Sequence, residues 1–168
     1  MINSIPIERV LFLDIETVPN ASAWDDLPES EQKLWDKKTF QQRKDQYTAE
    51  DFYMERAGVM AEFGKIICIS IGKTERNGKL LIKSFYGDDE KTLLEEFGEL
   101  FNRPKLRDVI LCAHNGKEFD FPWIARRFLI NGMQPPVPFQ LYGKKPWEIP
   151  HIDTMEPVSY THLRAHET

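Results

Sequence analysis

Two short acidic segments hold the residues with the clearest capacity for chemistry. The apolar, strand-type run Val10-Leu11-Phe12-Leu13 leads into Asp14-Ile15-Glu16-Thr17. A second run, Val109-Ile110-Leu111-Cys112-Ala113, leads into His114-Asn115-Gly116-Lys117-Glu118-Phe119-Asp120. Side-chain direction in a strand repeats every two residues, so Asp14 and Glu16 point to one side of the sheet and Ile15 to the other, into the core. Two carboxylates this close repel unless a cation or a proton intervenes. Hard divalent ions such as magnesium take oxygen ligands: one or two protein carboxylates, with waters and substrate phosphates completing the shell. Asp14, Glu16 and Asp120, delivered at the ends of two strands, read as a candidate metal site. Asp-x-Glu taken alone reads equally well as an acidic strand end that meets solvent.

The flanking residues predict the elements that position these acids. His114-Asn115-Gly116 is turn chemistry, because Asn and Gly tolerate left-handed backbone angles. After it, Phe121, Ile124, Ala125 and Phe128 recur at helical spacing, with Pro122 where a first helical turn accepts proline. Asp120 is then the expected N-cap of this helix, a role compatible with metal binding. Upstream, residues 17–46 read as an irregular stretch with short helices, and Thr48-Ala49-Glu50-Asp51 as a helix start running towards Ala61. Residues 65–73 and 79–86 read as a hairpin around Asn77-Gly78. Asp88-Asp89-Glu90 opens an amphipathic helix with Leu93, Leu94, Phe97, Leu100 and Phe101 inward, and residues 135–150 form a Pro-rich connector. The strand ending at Ala113 is expected beside the one ending at Asp14, so that the acids meet at neighbouring strand ends.

Composition sets the wider bounds. A chain of 168 residues, 41% hydrophobic and 29% charged, is a natural single-domain length with enough apolar content for a core. No apolar stretch is long enough to span a bilayer, and Met1 to Arg9 has no signal-peptide core, so no membrane association and cytoplasmic residence are expected. Cys68 and Cys112 sit in apolar runs and read as small buried residues rather than a disulfide or zinc pair. A net charge of −5 argues against coating nucleic acid by bulk electrostatics. The clusters Lys37-Lys38 with Arg43-Lys44, and Arg126-Arg127 with Lys144-Lys145, read as solvated helix faces in preference to phosphate contacts. Trp24 and Trp35 read as core anchors in preference to base-stacking platforms. His114 is expected to hold the turn by hydrogen bonding, Glu118 to face solvent, Phe119 to pack, and Asp153 to be structural.

Asp14-Ile15-Glu16-Thr17 resembles the first motif of the DEDD superfamily of 3′-5′ exonucleases, and Asn115-Gly116-Lys117-Glu118-Phe119-Asp120 resembles its second, Asn-x(2,3)-Phe-Asp. More closely, the chain resembles the exonuclease family related to the proofreading domain of family B DNA polymerases. That likeness is carried by Phe63 to Ser70, Ala113 to Pro122, Arg127 with Ile130-Asn131-Gly132, Lys145-Pro146-Trp147-Glu148, and His151 to Met155. The resemblance implies an α/β, ribonuclease H-like mixed sheet flanked by helices. It implies hydrolysis of terminal phosphodiesters of single-stranded DNA by a two-metal mechanism using Mg2+ or Mn2+. By position, Asp14, Glu16 and Asp120 are the implied catalytic metal ligands, and Thr17, Asn115 and Phe119 the implied substrate contacts. The implied partner is a single-stranded 3′ end, DNA in preference to RNA. An RNA exonuclease and a non-catalytic nucleic-acid-binding module on the same fold are the alternatives.

The superfamily's fourth acid, with the Tyr or His that positions the attacking water, belongs to a third motif not found here. Val158 to Thr168 resembles one reading frame of a transposase-type sequencing-library adaptor. Residues 1–157 are therefore expected to be a C-terminally truncated, incomplete exonuclease domain, weakly active or inactive, and residues 158–168 a non-native tail. On that expectation Tyr160, His162 and His166 take no part in catalysis.

Overall fold

The spine of the sheet is β1 (Val10–Pro19), and its side chains alternate as a strand with one covered face requires. Leu11, Leu13 and Ile15 are buried, while Phe12, Asp14 and Glu16 are exposed. The computed structural model describes residues 5–44 and 46–156. Residues 158–168, with the tail expected there, lie outside the described residues.

On one side of β1 lies β2 (Gly64–Thr74), antiparallel to it and continued antiparallel by β3 (Leu80–Tyr86). The two are joined by the expected tight turn, with Gly78 at φ 81° and the Lys79 N–H donating to Asn77 Oδ1. On the other side, β4 (Ile110–Ala113) runs parallel to β1, followed by β5 (Ile152–Asp153), parallel to β4. The order is β3-β2-β1-β4-β5, a mixed five-stranded sheet. β4 pairs with β1 from Val10↔Ile110 to Phe12↔Cys112 and ends at Ala113, so the chain leaves it level with Leu13 and Asp14.

Among the described residues five α-helices accompany the sheet: α1 (Glu29–Arg43), α2 (Ala49–Arg56), α3 (Glu90–Glu99), α4 (Pro104–Arg107) and α5 (Asp120–Ile130). α3 starts at Asp89, whose carboxylate accepts the Lys91 N–H, and brings Leu93, Leu94 and Phe97 into the core. α5 adds Phe121, Trp123, Ile124, Ala125 and Phe128. Together they cover the face of the sheet that carries Leu11, Leu13, Ile15, Ile66, Ile69 and Leu111. Each such side chain contributes about 1.5–3 kcal/mol on burial, so the inward face of β1 is held firmly and its outward face is fixed by geometry.

A second cluster surrounds Trp35, fully buried against Phe52, Tyr53 and Phe63, with Trp24 packed edge-on to Tyr53. The expected irregular stretch over 17–46 is corrected here: α1 is a single helix of 15 residues. Its buried stripe is Trp35, Thr39 and Arg43, a four-residue period with only one apolar member, while Leu34 and Phe40 face solvent. The expected helix towards Ala61 stops at Arg56 and continues as a 3-10 turn over Ala57–Val59.

Candidate functional site

Asp14 and Glu16 are placed by β1 itself. The strand runs on to Pro19, so the two acids lie within it and not at its end, opposite Ser70 and Cys68 of β2. Thr17 and Val18 are β-formers that go on pairing with β2, which is why the expected strand end is displaced. The register shifts between Glu16 and Thr17, a bulge directly beyond the acids.

Asp120 arrives from the other side. After β4, Asn115 takes a left-handed conformation at φ 59°, its carbonyl accepts the Phe119 N–H at 2.9 Å, and the Gly116 carbonyl accepts the Phe121 N–H at 2.9 Å. Gly116 is required: a Cβ there would lie 2.5 Å from Ala113 Cβ and 2.8 Å from Phe121 Cζ. The N-cap of α5 is Phe119, so Asp120 is the first helical residue and not the cap expected for it. Its carboxylate remains favourably placed near the positive end of the helix.

Asp120 is 4% exposed, and its pKa is pushed up to about 6. Burial is the largest cause; Asp14 and Asp153 add repulsion, against hydrogen bonds from the backbone of Asp120 and Ile15. Asp14 and Asp120 are thus brought within electrostatic reach of each other, and Glu16 shares the exposed strand face with Asp14. Among the described residues, no group of three His, Cys, Asp or Glu side chains converges closely enough to hold an ion unaided. The donor set suits a hard divalent cation all the same: it is all carboxylate, two members are open to solvent, and the third ionises more readily beside positive charge.

The other implied contacts are placed as follows. Thr17 Oγ1 donates to the Gly58 carbonyl at 2.6 Å, so its hydroxyl hydrogen is committed within the chain. Asn115 is half-buried at the turn, its N–H held by Asp153 Oδ1 at 2.8 Å. Phe119 is half-buried against the core, with its ring 6.2 Å from that of Trp123. His114 is exposed and bonds Thr154 Oγ1 through Nδ1 at 3.0 Å, and Glu118 is exposed.

Five residues escaped sequence reasoning or were misjudged. Glu90 is buried, accepting from Arg127 Nε at 2.8 Å, Asn131 Nδ2 at 2.9 Å and the Ile66 N–H at 2.7 Å. Arg127 is accordingly a buried ion-pair partner and not part of a solvated basic face; Arg43, paired with Asp36, corrects the other cluster. Cys68 is half-buried rather than buried, and Cys112 is buried with its thiol pKa raised by desolvation and Asp153; both are free thiols. His151, on the connector, is buried: the Leu111 N–H donates to Nδ1 at 3.3 Å while Nε2 meets the Pro138 carbonyl at 2.7 Å. Burial first of all lowers its pKa, as that neutral pairing requires.

A central strand with two outward carboxylates, met by a third acid at the start of the helix after the adjacent parallel strand, defines a ribonuclease H-like α/β fold with an acidic site. The chain belongs to the RNase_H superfamily, whose profile matches residues 52–167. That match includes Asp120 and begins after β1. Among solved structures, E. coli exonuclease I with a dT13 oligonucleotide is similar at 12% identity and a TM-score of 0.51, over 91% of this chain and 29% of that one. Its complex with a dA16 oligonucleotide is similar at 12% identity and 0.52, over the same shares. A family B DNA polymerase from the archaeon Pyrobaculum calidifontis aligns at 14% identity over 80% of this chain and 12% of that one, at a TM-score of only 0.41. The chain thus spans under a third of the length of the exonuclease I chains it resembles. No curated protein matches by sequence.

Proposed function

We propose that this chain carries the catalytic acids of a metal-dependent 3′-5′ exonuclease acting on single-stranded DNA. The observation that carries the proposal is the approach of a buried, ionisation-resistant Asp120 to Asp14 on the strand that also presents Glu16. Asp14 and Asp120 repel each other in the metal-free fold, and a cation would relieve that repulsion. Membership of the RNase_H superfamily supports nuclease chemistry, because that fold generally uses divalent metals. The oligonucleotides bound by the exonuclease I structures of similar fold favour single-stranded DNA over RNA.

In this proposal Asp14, Glu16 and Asp120 hold two Mg2+ or Mn2+ ions. When bound, such ions supply an activated water and stabilise the departing 3′ oxygen. Thr17 fixes the backbone beyond Glu16 through Gly58, Asn115 offers its amide to the terminal nucleotide, and Phe119 presents a partly open ring for its base or sugar. The fourth carboxylate and the water-positioning Tyr or His come from a third motif beyond residue 157. We further propose that residues 158–168 are a non-native tail, although the superfamily profile runs on to residue 167; resequencing the source DNA across codon 156 without transposase adaptors tests this. A continuing frame with Tyr-x-x-x-Asp or His-x-x-x-Asp supports this, and a frame that stops at Thr168 contradicts it.

A 5′-labelled single-stranded oligonucleotide tests the activity. A chain completed with the third motif should shorten it stepwise from the 3′ end with Mg2+ or Mn2+, the 168-residue chain far more slowly, and Asp14→Ala versions of both not at all. Internal cleavage, or full activity in Asp14→Ala, would contradict the proposal. Binding without hydrolysis by the completed chain would favour the non-catalytic module.

A further inference from the structure

Asp153 is a buried acid, 5% exposed, that the proposed chemistry leaves unused. Its Oδ1 accepts the backbone N–H groups of Asn115 at 2.8 Å and Met155 at 2.9 Å, and its Oδ2 accepts that of Lys117 at 3.1 Å. With Asn115 left-handed, the turn after β4 presents its amides as a concavity for an anion. The anion it holds is the chain's own. β5 fixes the carboxylate in turn: Asp153 pairs with Ala113, and the Thr154 N–H bonds the Ala113 carbonyl at 3.0 Å.

The same turn is bonded to both neighbours of Asp120. The Asn115 carbonyl takes the Phe119 N–H and the Gly116 carbonyl takes the Phe121 N–H, while Gly116 is wedged between Ala113 and Phe121 with no room for a Cβ. The carboxylate of Asp153 therefore anchors one end of a short, rigid unit whose other end is the first turn of α5. Turning that carboxylate towards an ion would leave the part-buried amides of the turn without their acceptor, at a desolvation cost for each.

We propose that Asp153 is the positioning residue of the site: through the backbone amides of Asn115 and Lys117 it sets Asn115 and Asp120, and it does not coordinate the ions. The proposal rests on the reading of Asp14, Glu16 and Asp120 as ion ligands.

The test uses the 168-residue chain with two readouts: amide hydrogen exchange by NMR with and without Mg2+, and Mn2+ affinity by electron paramagnetic resonance. In the wild type the Asn115 and Lys117 amides should stay protected when Mg2+ is added. Asp153→Asn should lose that protection tenfold or more while Leu13 and Ile69 keep theirs, and should weaken Mn2+ binding about 10–100-fold, as loss of outer-shell support does. Asp120→Asn should weaken Mn2+ binding and keep both amides protected. Loss of protection on adding Mg2+ to the wild type would overturn the proposal, and this arm decides it even if Asp153→Asn fails to fold. If Asp14→Asn and Asp120→Asn weaken Mn2+ and Asp153→Asn does not, only the positioning role fails. If neither of those two changes the affinity, the ion-site reading fails and takes the positioning role with it.

Discussion

Asp120 gives the metal-free chain a pH-dependent contribution to stability. Its pKa of about 6 in the folded state lies above the ordinary 3.8, so the folded chain binds this proton more tightly than the unfolded one. Its contribution to stability is full below about pH 4, falls as pH rises towards 6, and is lost above that, a change of about 3 kcal/mol. Asp120→Asn should therefore stabilise the chain by about 1–2 kcal/mol at pH 7.5 in EDTA and by nothing at pH 4, measured by urea unfolding. A variant destabilised at pH 7.5 would contradict the electrostatic account. At Gly116 the physics is steric: Gly116→Ala should cost about 1–3 kcal/mol, because the new methyl meets Ala113 and Phe121 at once. An unchanged urea midpoint would show that the turn yields.

Among the elements, the Glu90–Arg127 pair ties the first residue of α3 to α5, and Arg127 also donates to the Ala61 carbonyl at 2.8 Å. Arg127→Met should cost about 3–5 kcal/mol, since it leaves Glu90 buried without its cation, and adding Glu90→Leu should recover part of that loss. A double variant worse than the sum of the singles would show that the pair does more than neutralise itself. This lock also marks what pattern reading cannot reach. β1 to β4, the hairpin, α3 and α5 were legible because their apolar residues recur at periods of two or about 3.6, whereas β5 was not. α1 was not, because its buried stripe is a tryptophan, a threonine and an arginine. Glu90, Arg127 and His151 look like surface residues until partners 37 or more positions away meet them. The acids themselves stood out by type and spacing. The seating of Asp153 depends on β5, two residues just beyond a proline-rich connector.

At the scale of the whole molecule, one face of the sheet is covered by α3 and α5 and the other presents Asp14 and Glu16 beside apolar surface. On the edge strand β3, Leu80, Ile82 and Tyr86 are 54%, 71% and 80% exposed, and a hollow of about 400 Å3 opens between Phe12, Cys112 and Ile152. An apolar, unpaired edge invites association. Sedimentation velocity should show self-association that grows with concentration and falls in Ile82→Lys; a concentration-independent monomer would contradict this. No helix among the described residues is long and apolar enough to cross a membrane.

The proposed role of Asp14, Glu16 and Asp120 is to bind a divalent cation between them. Thermal unfolding of the wild type and Asp14→Ala in EDTA, Mg2+ and Mn2+ tests it most directly. Binding to the folded state alone stabilises by about 2.7 kcal/mol at a hundred times Kd, so the wild type should melt several degrees higher with either metal and Asp14→Ala should not. No shift in the wild type, or an equal shift in both, would contradict the metal site.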